Sequence, residues 1–66
     1  MLKPLVNLEI CTRTRAPVTL FRLDLAADPD ALEGMDLDAV RAEVVSGYAA
    51  IAAELETDLY VDGVRA

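Results

Sequence analysis

Two runs of alternating side chains, set on either side of one proline, constrain this chain more than anything else in it. From Leu5 to Arg13, the residues Val6, Leu8, Ile10 and Thr12 fall on one side while Asn7, Glu9, Cys11 and Arg13 fall on the other. That period of two marks a strand with one buried face. Thr14-Arg15-Ala16-Pro17 interrupts the pattern. Pro17 has no N–H to give to a sheet ladder, so it belongs in a turn or at a strand entrance. A second run, Val18 to Leu25, is rich in β-branched and aromatic residues. Thr19, Phe21, Leu23 and Leu25 share one face, and Val18, Leu20, Arg22 and Asp24 the other. Two such strands with a short connection form an antiparallel hairpin.

The chain then changes period. Ala26 to Gly34 reads as one helical turn, with Asp28 at the N-cap, Pro29 at the first helical position and Gly34 just past the end. A longer helix follows, with Asp36 as its N-cap and Asp38 in the first turn, where the helix dipole favours negative charge. Leu37, Val40, Val44, Tyr48, Ile51 and Leu55 form an apolar stripe with steps of three and four. Ser46-Gly47 weakens the middle of this helix, and a small residue there can let the backbone approach the sheet or a partner. Leu59-Tyr60-Val61 with Asp62-Gly63 reads as a short last strand and turn. A right-handed crossover places that strand beside the first. The expectation is an α+β domain of order ββααβ: a three-stranded antiparallel sheet, order 2-1-3, with a short helix and one long amphipathic helix on one face.

At 66 residues the chain is expected to be a single domain, 1–66, near the lower limit for independent folding. Its 55% hydrophobic content argues against disorder. One cysteine, Cys11, excludes an internal disulfide and points to a reducing compartment. There is no apolar run long enough for a membrane span and no signal-peptide pattern, so a soluble, cytoplasmic protein is expected.

Charge is sorted by position. Residues 1–23 carry Lys3, Arg13, Arg15 and Arg22 against Glu9, a local balance of +3, while residues 24–66 stand at −9, giving the chain its net −6. Asp24, Asp28, Asp30, Glu33, Asp36 and Asp38 follow one another without a basic residue among them. Such a run repels anions and attracts basic surfaces. Solubility and helix capping account for part of it, but ordinary surfaces intersperse both signs. Keeping these carboxylates together points to a partner of opposite charge, and a site that normally meets phosphates is the natural candidate. Glu54, Glu56, Asp58 and Asp62 make a second acidic edge.

Several chemistries find no support. Histidine, the usual proton shuttle and commonest metal ligand, is absent. Cys11 has no base to activate it, Ser46 lies mid-helix, and the three isolated glycines make no phosphate loop. Asp28-x-Asp30 begins like a calcium loop, but Leu32, Glu33 and Ala39 occupy positions that need an oxygen ligand, a glycine and a glutamate. The expectation is therefore no enzyme, no cofactor and no metal.

In size, acidity and α+β order, and above all in Asp24 through Asp38, the chain resembles the small phage-encoded anti-CRISPR proteins of the DNA-mimic type. It shares no motif with them. The resemblance implies a non-enzymatic inhibitor in the host cytoplasm that binds the basic nucleic-acid-binding surface of a CRISPR effector complex, or of another nucleic-acid-binding host protein. It would block target DNA recognition without binding nucleic acid or membrane itself. The implied contact residues are Asp24, Asp28, Asp30, Glu33, Asp36 and Asp38, with Glu43 further along the helix. A different class of function is a small oligomerising or adaptor module, monomer or homodimer. There the basic hairpin of one copy docks on the acidic segment of another, or an exposed sheet edge pairs with a partner strand. Val45, Ala49 and Ala52, off the stripe, would supply a helix–helix contact.

Overall fold

The computed structural model describes residues 1–66 and contains a four-stranded antiparallel sheet with one helix against it. Strands β1 (Lys3–Cys11) and β2 (Thr19–Ala27) form the expected hairpin. Helix α1 (Leu37–Glu54) follows, then β3 (Asp58–Val61) and β4 (Val64–Arg65). The sheet order is β2-β1-β3-β4. The 2-1-3 core of the expected sheet is present, and a fourth strand is added at its edge. Asp62 and Gly63, both with positive φ (51° and 80°), make the two-residue turn that folds β4 back on β3. Asp-Gly suits such a turn because its backbone twist matches that of the flanking strands. The sequence marks this turn clearly, but the three residues after it are too few to show a strand period.

The expected short helix does not form. β2 continues to Ala27, and residues 28–36 make a turn-rich connection in its place. The cap chemistry is nevertheless there: Asp28 Oδ1 accepts a hydrogen bond from the Asp30 N–H at 3.0 Å, and the Leu32 N–H donates to Asp28 O at 3.1 Å. One closed turn fixes several dihedrals for one or two hydrogen bonds, and Gly34, at φ +88°, ends it before it can propagate.

The core lies between α1 and the sheet. Val6, Leu8 and Ile10 of β1, Leu59 of β3 and Ala52 of α1 are buried, with Leu23, Leu25, Val44, Val45, Tyr48 and Val61 packed around them. The phase of β1 is as the alternation predicts. That of β2 holds for Phe21, Leu23 and Leu25 but breaks at its start. Ile10 pairs with Phe21 and Cys11 with Thr19, so Leu20 is an extra residue that turns Thr19 to the opposite face. There the Thr19 hydroxyl lies 3.7 Å from Cys11 Sγ.

The helix is rotated from its expected setting. Ala52 is its one buried residue and Val45 packs on the core, whereas Ile51 and Leu55 are 48% and 60% exposed. A small residue permits close approach of α1 to the sheet, and that approach is made through Ala52 rather than Gly47. A Cβ built on Gly47 meets nothing within 4 Å. Val45 and Ala52 are thus committed to the chain's own core and do not form a separate helix–helix surface. The C-terminus of α1 closes with Glu56 in the left-handed region (φ 55°), its N–H bonded to Ala53 O at 3.2 Å and the Thr57 N–H to Ala52 O at 2.9 Å. This is a Schellman arrangement, which satisfies carbonyls that have no partner inside the helix. No helix is long and apolar enough to cross a membrane.

Candidate protein-binding surface

The two faces of the sheet divide the chemistry. The face away from α1 carries a lattice of charged pairs. Arg22 Nε lies 3.9 Å from Glu9 and 3.6 Å from Asp24, while Arg13 Nε donates to Asp58 Oδ1 at 3.1 Å. Arg65 approaches the same Asp58 at 3.7 Å, and Arg13 also donates to Thr57 O at 3.1 Å. On the helix side, Arg41 Nη2 donates to Asp62 Oδ2 at 2.6 Å, and Asp62 Oδ1 accepts the Asn7 N–H at 2.9 Å. That backbone hydrogen bond, with the Arg41 guanidinium second, holds the Asp62 carboxyl below its ordinary value of 3.8.

These pairs occupy four of the six basic side chains. Lys3 and Arg15 have no carboxylate within 4.0 Å. Of the hairpin's four cations, Arg13 and Arg22 are thus spent on the sheet, and the carboxylates that they neutralise are mostly outside the acidic run.

The seven carboxylates singled out in the sequence separate into four groups. Asp24 stands on the charged face of β2, beside Arg22, and accepts a hydrogen bond from the Asn7 side-chain amide. Asp28 is half-buried, caps the turn and lies 3.6 Å from the amino group of Met1. Asp30, Glu33, Asp36 and Asp38 are exposed and make no ion pair. They lie on the 28–36 connection and the first turn of α1, where Asp36 caps the helix by accepting the Asp38 and Ala39 N–H groups at 3.0 and 3.2 Å. Glu43 is exposed and unpaired too, but five residues beyond Asp38 it points about 140° around the helix from it. The structure thus leaves a group of four uncompensated carboxylates at one end of α1, with Asp24, Asp28 and Glu43 outside it.

An apolar surface that the sequence did not signal lies on the helix side of β2. Ile10, Leu20, Phe21, Tyr48, Ile51 and Leu55 line a shallow trough between β2 and α1. The Phe21 and Tyr48 rings stack across it at 5.5 Å. The trough arises from the rotation of α1, which a regular stripe of large residues could not reveal, because the alanine at 52 decided the closest approach. Cys11 is buried against Thr19, and no group of three carboxylate or thiol side chains is arranged to hold a metal ion. Compared with protein-family models, curated proteins and solved structures, the chain finds no match.

Proposed function

We propose that this domain is a non-enzymatic inhibitor that uses its acidic end to occupy a basic, nucleic-acid-binding surface on another protein. In its specific form the target is a CRISPR effector complex, and the effect is to block recognition of target DNA. The supporting observation is the set of four exposed, uncompensated carboxylates at Asp30, Glu33, Asp36 and Asp38, in a molecule where four of the five arginines are paired elsewhere. Each of these carboxylates has free lone pairs, so each can accept a charge-assisted hydrogen bond from an arginine that would otherwise hold a phosphate. Attachment to a turn and a capped helix end lowers the entropy lost when they engage.

The test is a fourfold amide variant, Asp30→Asn, Glu33→Gln, Asp36→Asn and Asp38→Asn, assayed for inhibition of DNA binding by purified effector complexes. Asparagine caps a helix about as well as aspartate, so the fold is retained and charge alone changes. Inhibition is expected to fall at least tenfold, and the inhibition by the unaltered protein to weaken as salt rises. Unchanged inhibition by the variant would overturn the role of these carboxylates. A second reading, an oligomerising module, is favoured by a separate observation: the open edge of β2 and the trough beside it.

A further inference from the structure

The two edges of the sheet are unlike each other. β4 closes one side with two residues, whereas β2 leaves nine residues at the other side without a neighbouring strand. Beside that open edge, α1 rests on β1 and β3 and reaches β2 through the Phe21–Tyr48 stack. Phe21 stays 41% exposed, and Leu20, Ile51 and Leu55 are more exposed still. A long edge strand bordered by apolar side chains is a template for another strand.

We propose that two copies of this chain pair through β2, antiparallel and centred on Leu23, in a twofold-symmetric dimer with one continuous sheet. Complementarity of β2 with itself selects both the occupant and the register. Leu23 is the midpoint of Thr19–Ala27, so this register gives the longest overlap, regular from Phe21 onward and shifted by one residue at the extra Leu20. It sets Arg22 opposite Asp24 of the partner subunit, and the twofold axis repeats the pair. Both residues stand on the face away from α1, where directly opposed side chains interact. On the helix side, Phe21 meets Leu25 of the partner subunit and Leu23 meets Leu23 of the partner subunit, carrying the core across the seam. Neighbouring registers lose this match. Centring on Arg22 or Asp24 opposes like charges, centring on Phe21 sets Arg22 against Leu20, and centring on Leu25 sets Asp24 against Ala26 and moves Arg22 out to Asp28, beyond the end of β2.

A second complementarity follows from the same register. Past Phe21 the extra residue Leu20 shifts the count by one, so Thr19 falls opposite Ala26 of the partner subunit, and the hairpin tip of one copy runs on beside Asp28 and Asp30 of the other. Arg15, at that tip, has no carboxylate partner within its own chain. Pairing in this way takes Asp30 of the acidic end toward the seam but leaves Glu33, Asp36, Asp38 and Glu43 outside it, so the strand pairing itself does not depend on what those four carboxylates bind.

The experiment measures mass by light scattering over a concentration series, with Arg22→Asp, Asp24→Arg, their equimolar mixture and the double variant. The unaltered protein is expected as a dimer. Each single substitution should raise the dissociation constant roughly tenfold or more, since two symmetry-related pairs become repulsive. The mixture and the double variant should both recover the dimer, because each restores opposite charges at both pairs. Arg22 also lies near Glu9 within its own chain, so circular dichroism checks that each variant folds. An independent arm needs no substitution. Isotope-filtered NMR on mixed labelled and unlabelled protein should show Phe21 ring protons close to Leu25 methyls of the partner subunit. A monomer at millimolar concentration, or a dimer without these contacts, would overturn the proposal.

Discussion

Asp62 shows how much one side chain can organise in a molecule of this size. Its carboxylate takes the Asn7 N–H with one oxygen and the Arg41 guanidinium with the other, tying the turn after β3 to β1 and α1. Both partners favour the charged form, so the carboxyl titrates below its ordinary value. A lowered folded-state value means stability that is present above the unfolded value of 3.8 and lost as pH falls through the folded one. Asp62→Asn is therefore expected to be less stable at neutral pH and to lose less stability on acidification below pH 4 (about the unfolded value). Urea midpoints across that range check it, and asparagine tolerates the positive φ at this position. Glu56 is the opposite case. A residue with a Cβ sits in the left-handed region at the end of α1, a conformation that costs roughly 1 kcal/mol and that glycine adopts freely. Glu56→Gly should raise stability by about 0.5–1 kcal/mol, read from the same denaturation curves.

At the scale of elements, the sequence carried most of the secondary structure and lost the details that depend on packing. The alternation in residues 5–13 places β1's buried face correctly, and Asp36 marks the start of α1 because its cap is a local interaction. The stripe from Leu37 to Leu55 reveals a helix but misplaces its buried face. Hydrophobicity alone ranks Ile51 above Ala52, yet the sheet accepts the smaller side chain at the closest approach. Residues 28–36 had every terminal signal of a helix and too little between them to sustain one. Gly47 follows from the same geometry: it is in the helix interior with open space where a side chain would be. Gly47→Ala is expected to stabilise the fold by about 1 kcal/mol, as a thermal or urea transition would report. If binding to a partner falls in that variant while stability rises, a close contact of the partner's surface with this turn of α1 is the cause.

For the whole molecule, the candidate surface was only partly legible. The run of carboxylates can be read directly from the sequence. Which of them remain uncompensated cannot, because that depends on where the arginines fold. Arg22 reaches Asp24 on the same strand, while no cation reaches Asp30, Glu33, Asp36 or Asp38. The apolar trough was hidden for a related reason, since it results from how α1 lies over an elongated body of 42 × 20 × 15 Å. Glu33, Asp36 and Asp38 stand outside the proposed β2 seam, so an acidic contact through them and a strand-edge contact can coexist.

The shortness of β4 has a consequence for growth. A sheet that recruits a second copy at one margin would next present its other margin, and here that margin is two residues long. Too few ladder bonds are available there to hold a third chain. Assembly through this architecture stops at a pair instead of extending into a filament, which lets an open margin persist elsewhere without turning the protein into a fibre-former.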